Sequence, residues 1–92
     1  MLRKSLVLSA LAVSFAASGA FASPTCTKEP EEKWLSEAAM KHKIAEMGYK
    51  DIKVFKKTTT GCYEIYGYTA NGRKAEVYFH PVTGATVEKN VD

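Results

Sequence analysis

The chain has 92 residues, 46% of them hydrophobic, with 13 Lys and Arg against 10 Asp and Glu. This length holds one small domain, which buries a smaller share of its surface than a larger one would, so a cross-link weighs heavily in its stability. The formal net charge of +3 falls to +1 if Arg3 and Lys4 leave with an N-terminal leader, 11 basic against 10 acidic residues, and so small an excess gives no basis for binding nucleic acid or an anionic membrane.

Residues 1–22 read as an export signal. Arg3 and Lys4 precede a largely apolar run from Leu6 to Phe15, and Ala20-Phe21-Ala22 places small residues where a signal peptidase reads them. The run is shorter than the roughly 20 predominantly apolar residues of a spanning helix, so no membrane insertion is expected after cleavage before Ser23. An exported chain reaches an oxidising compartment, the periplasm, where Cys26 and Cys62 are expected to form an intramolecular disulfide. A closure of this length is worth roughly 3 to 4 kcal/mol. Neither cysteine lies in a C-x-x-C motif, which argues against a redox centre or haem attachment, and the spacing of Cys26, His42, Cys62 and His80 does not suit zinc.

Residues 23–34 form a polar lead-in tethered by Cys26, and residues 35–92 the domain proper. Ser36 is the expected N-cap of a helix from Glu37 to Met47, stopped by Gly48. Met40, Ile44 and Met47 share one face, while Leu35 at the preceding position can staple onto Met40 and bring Trp34 to the same end of the core. After Gly48 the period becomes 2. Asp51 to Lys57, Cys62 to Thr69, Lys74 to His80 and Ala85 to Glu88 read as strands separated by glycine-containing turns. Lysines 50, 53, 56 and 57 fit a solvated edge strand.

The central hairpin permits a choice of register. A two-residue Asn71-Gly72 loop would leave Ile65 on the polar face and Glu64 on the apolar one. A three-residue loop, Ala70 to Gly72 with positive φ at Gly72, pairs Ile65 with Val77, Tyr63 with Phe79 and Gly67 with Ala75. One face is then apolar, with Ile52, Val54 and Val87 joining the core beneath the helix. The other pairs Tyr66 with Glu76, Tyr68 with Lys74 and Glu64 with Tyr78 and is expected to be solvated, its glutamates exposed. The fold class is α+β: one N-terminal helix packed on a three- to four-stranded antiparallel β-meander.

The helix, the strand Tyr63-Glu64-Ile65, the glycine hairpin, the strand Glu76-Val77-Tyr78-Phe79 and the closing Pro-Val-Thr-Gly-Ala-Thr-Val, in this order, resemble the PepSY domain family, and Cys62 to Gly67 carries the likeness best. His80 departs from the aspartate that many PepSY domains place before the x-x-Thr-Gly turn. The resemblance, closest to the small exported single-domain members, implies a non-enzymatic periplasmic module that binds or regulates another periplasmic or membrane protein. Its relatives suggest a peptidase inhibitor or an accessory subunit of a membrane redox system as alternatives.

The residues themselves add no nucleophile with its base and no phosphate loop, so no catalytic site, cofactor or metal is expected. Tyrosines on an uncovered sheet face suit protein contact. Tyr66, Tyr68 and Tyr78, with Phe55 from the first strand, are the candidate partner surface of an expected monomer.

Overall fold

A computed structural model describes residues 23–92, and the expected signal, residues 1–22, lies outside the described residues. The lead-in holds one short 3-10 helix, Glu31–Lys33. Its end is fixed by two bonds, Trp34 Nε1 donating to the Glu29 carbonyl at 3.0 Å and Leu35 N–H to the Pro81 carbonyl at 2.8 Å. Helix α1, Glu37–Glu46, begins where Ser36 Oγ accepts from the Ala39 N–H at 3.1 Å, so the expected cap forms. Met47 is the C-cap, and Gly48 follows with φ 95°.

Strands β1 (Lys50–Lys57), β2 (Tyr63–Tyr68), β3 (Lys74–Phe79) and β4 (Thr86–Val91) form one antiparallel sheet in the order β1-β2-β3-β4. The register of β2 on β3 is the expected one throughout, from Tyr63↔Phe79 to Tyr68↔Lys74. The three-residue loop closes through Gly72 N–H to Thr69 O at 2.9 Å and Thr69 N–H to Arg73 O at 2.8 Å. Gly72 has φ 89°, a conformation that an L side chain rarely adopts.

Helix α1 covers the face on which Tyr63, Ile65, Ala75, Val77 and Phe79 meet Met40 and Ile44, with Trp34, Leu35, Tyr49, Phe55 and Val91 packed around them. Trp34 stands edge-on to Tyr63 at 5.4 Å between centroids, and Tyr63 Oη donates to the Leu35 carbonyl at 2.7 Å. This burial of aliphatic and aromatic surface is the main stabilising contribution to so small a domain.

Three expected core residues are exposed instead: Ile52, Val54 and Val87, as is Met47 at the helix end. In β1 the cause is an irregularity between Lys50 and Val54 that includes Asp51 at φ 49°. The extra residues break the alternation of faces. Val54 therefore pairs with Tyr66 on the outer face, while Phe55 pairs with Ile65 on the helix face. In β4 a second shift lies between the pairs Tyr78↔Glu88 and Phe79↔Thr86, which leaves Val87 without a place in the ladder, and Val91 takes the core position opposite Ala75.

The disulfide joins Cys26 to Cys62 across a separation of 36 residues. Cys62 precedes Tyr63 and so points to the outer face, opposite the helix. The bridge draws residues 23–27 onto that face as a strap. Cys26 N–H donates to the Thr60 carbonyl at 3.1 Å, and Gly61, at φ 82°, lets the strap pass so close that a Cβ there would lie 2.0 Å from the Thr27 oxygen.

Candidate functional site

The outer face is divided by the strap. At the covered end Glu64 is 3% exposed and Tyr78 6% exposed, whereas both were expected to stand in solvent. Ser23 Oγ reaches Tyr78 Oη at 3.5 Å, Tyr78 Oη donates to Glu76 Oε2 at 2.8 Å, and Lys56 Nζ lies 3.8 Å from Glu64 Oε1. Glu64 sits opposite Tyr78 and Tyr66 opposite Glu76, so the two acids are diagonal neighbours on one face, within reach of long side chains.

These groups titrate together. Burial and a hydrogen bond shared with Glu76 push the Glu64 carboxyl above the usual glutamate range. Burial works in the same direction on Glu76, but hydrogen bonds from Glu64, Tyr78 and Tyr66 outweigh it and hold this carboxyl below its usual value. The two neighbouring carboxyls are thus pushed in opposite directions, Glu64 upward and Glu76 downward. Hydrogen bonding to Glu76, with some burial, pushes the Tyr66 hydroxyl up to about 12. Burial, together with the bond to Glu76, also raises Tyr78.

The open end holds Tyr66, 43% exposed, and a half-buried Tyr68. They line a shallow depression of about 290 Å³ with Lys53, Lys74, Asn90 and Asp92. The four aromatic residues singled out in the sequence are therefore not one surface. Tyr66 and Tyr68 share the open end, and Tyr78 lies under the strap. Phe55 is on the opposite face, its ring 5.1 Å from that of Tyr63 and capped by Lys41 Nζ at 5.0 Å.

The sequence reading placed Glu64 and Glu76 on the outer face but in solvent, and the burial of Glu64 is the correction, although a signal for it was present. Cys62 and Glu64 have the same strand parity, so a bridge from Cys62 has to bring the lead-in over Glu64. His80 also acquires a place. Its Nδ1 accepts from the N–H groups of Val82 at 3.2 Å and Thr83 at 3.4 Å, holding the turn as an aspartate carboxylate would. No group of three or more His, Cys, Asp or Glu is placed to hold a metal among the described residues.

A helix lying across one face of a four-stranded meander, joined by this hairpin register, is what the resemblance to PepSY domains implied, and the family model described as peptidase propeptide and YPEB domain matches residues 6–90. The chain belongs to the PepSY family. No curated protein and no solved structure matches it. PepSY domains are generally regulatory or inhibitory modules rather than catalysts, and the family and the disulfide together point to an extracytoplasmic protein. No helix among the described residues is long and apolar enough to cross a membrane.

Proposed function

We propose that the chain is a non-enzymatic periplasmic PepSY module that regulates another periplasmic or membrane protein by direct contact, with Tyr66 and Tyr68 at the centre of the contact. In this reading residues 1–22 are the export signal, 23–34 the tethered lead-in and 35–92 the PepSY domain. The observation that carries it is the division of the outer face: the strap seals one end over Glu64 and Tyr78 and leaves the tyrosines of the other end accessible. Exposed tyrosines give contact area at low conformational cost and a polar tip for hydrogen bonding, which is why interfaces favour them.

The test is a Tyr66→Ser/Tyr68→Ser variant used as bait beside the unaltered protein in cross-linking from periplasmic extract. The variant is expected to keep its native spectrum and lose the partner. Retention of the partner would overturn this assignment of the surface. The family's description as a peptidase propeptide supports a second reading, inhibition of a peptidase, which is checked by titrating the protein into assays of periplasmic peptidases.

A further inference from the structure

β1 is an outer strand of the sheet with one side unpaired among the described residues. The direction of its backbone groups follows from the hairpin that begins β2. Thr58 N–H donates to the Cys62 carbonyl at 2.9 Å, and the register then runs Lys57↔Tyr63, Lys56↔Glu64, Phe55↔Ile65 and Val54↔Tyr66. Hydrogen-bonded and non-hydrogen-bonded pairs alternate along an antiparallel ladder. Val54 and Lys56 therefore turn their backbone groups to β2, and Phe55 and Lys57 turn theirs to the unpaired side.

The two flanks of this edge differ. On the helix side Ile44, Ala45, Tyr49, Ile52 and Phe55 line a groove of about 320 Å³ between α1 and β1, with Lys41 and Lys53 at its rim. On the outer side Val54 is exposed between Lys50 and Lys56. Lys57 is engaged by Glu31 at 3.0 Å and Glu37 at 3.9 Å, whereas Lys50 and Lys53 make no ion pair among the described residues. Lysines on an edge repel a second copy of the same strand, since β1 against β1 would set like charges opposite each other. They do not repel an acidic strand. An edge that needed only protection from aggregation would also have no use for an apolar groove beside it.

We propose that the unpaired side of β1 takes an extended acidic segment of a partner protein as a fifth strand. Its alternate apolar side chains enter the α1–β1 groove and its intervening carboxylates lie beside Lys50 and Lys53. Main-chain bonds to Phe55 and Lys57 supply affinity, and the groove and lysines supply selectivity. This rests on the reading of the chain as a protein-binding module and uses the edge of β1 rather than Tyr66 and Tyr68, with Lys53 bordering both the groove and the tyrosine depression.

The probe is a fluorescein-labelled peptide, Glu-Val-Glu-Val-Glu-Val-Glu, titrated into the disulfide-intact protein by anisotropy and by amide chemical shifts. Saturable binding is expected, with the largest shifts at Phe55 and Lys57, no binding of the Lys-Val counterpart, and at least a tenfold loss in Lys50→Glu/Lys53→Glu. Of two analogues, one N-methylated on the valines and one on the glutamates, the one whose methyls face β1 should lose binding while the other keeps it. That comparison needs no change to the protein. Absence of saturable binding up to millimolar peptide, equal binding of the Lys-Val peptide, or equal behaviour of the two methylated analogues would overturn the proposal. The Tyr66→Ser/Tyr68→Ser variant should bind the peptide unchanged, so failure at β1 and failure at the tyrosine surface are read separately.

Discussion

The two faces of the sheet are closed by different physics. On one, α1 lays Met40 and Ile44 over Tyr63, Ile65, Val77 and Phe79, and apolar burial is the main contribution holding the layers together. On the other, residues 23–27 cover Glu64 and Tyr78, bringing little apolar surface of their own and a few hydrogen bonds. Such a segment does not gain enough on docking to offset the entropy of ordering it. The Cys26–Cys62 bridge shortens the search by tying the segment to the start of β2. A helix that buries Met40 and Ile44 holds its face chiefly by packing, whereas a polar strap needs a covalent anchor.

The largest expected effect comes from removing that anchor. Cys26→Ser/Cys62→Ser should lose roughly 3 to 4 kcal/mol in urea unfolding, and where the variant is still folded Tyr78 should become accessible to a collisional quencher while Trp34 keeps its emission. A loss of Trp34 packing at the same step would show that the two faces are not independent. On the proposal that residues 1–22 are removed on export, the intact mass should be that of a chain beginning at Ser23, and it should rise by two hydrogens on reduction of the Cys26–Cys62 bridge. On the helix face, Ile65→Ala should cost roughly 2 to 4 kcal/mol through the cavity it opens in a fully buried site, with no change in the accessibility of Tyr78.

Smaller effects sharpen the contrast between the two ends of the outer face. Tyr78→Phe removes the hydroxyl that donates to Glu76 beneath the strap and should cost about 1 kcal/mol. Tyr66→Phe, which removes the equivalent hydroxyl from a ring 43% exposed to solvent, should cost less, about 0.5 kcal/mol. Equal losses at the two sites would erase the division.

The smallest effect is a pH dependence. Because the Glu64 carboxyl is raised in the folded state, chiefly by burial, ionising it favours the unfolded chain. The stability it allows is complete below the ordinary glutamate range and declines as pH rises through that range to the higher folded value. Glu76, held low by its hydrogen bonds against the effect of burial, acts oppositely: its contribution is present above the ordinary range and is lost as pH falls through its lowered value. Glu64→Gln keeps a donor for Glu76 and cannot ionise. Its stability relative to the unaltered protein should therefore improve as pH rises across the glutamate range, in urea melts at several pH values. A constant difference would mean that the Glu64 carboxyl is not raised on folding.

Much of this was legible from residues close together in the chain. Ser36 and Gly48 bracket the helix because capping is local. The three-residue loop at Gly72 and the facing pairs of β2 and β3 followed from keeping Ile65 and Val77 on one face, since a one-residue slip reverses every side chain. The disulfide followed from two cysteines behind an apparent export signal. The faces of β1 were not legible, because nothing in the alternation of Lys50 to Lys57 announces that Asp51 adopts φ 49° and displaces the pattern. Nor was the fate of Tyr78, which in its own strand looks solvated and is covered by Ser23, 55 residues away. The sequence by itself determined the helix, the central hairpin and the cross-link, where local conformational preference and burial agree. Only the tertiary structure decided which side chains of β1 face the helix and which tyrosines stay open, because a bulge and a tethered strap act through contacts between segments that no local period encodes.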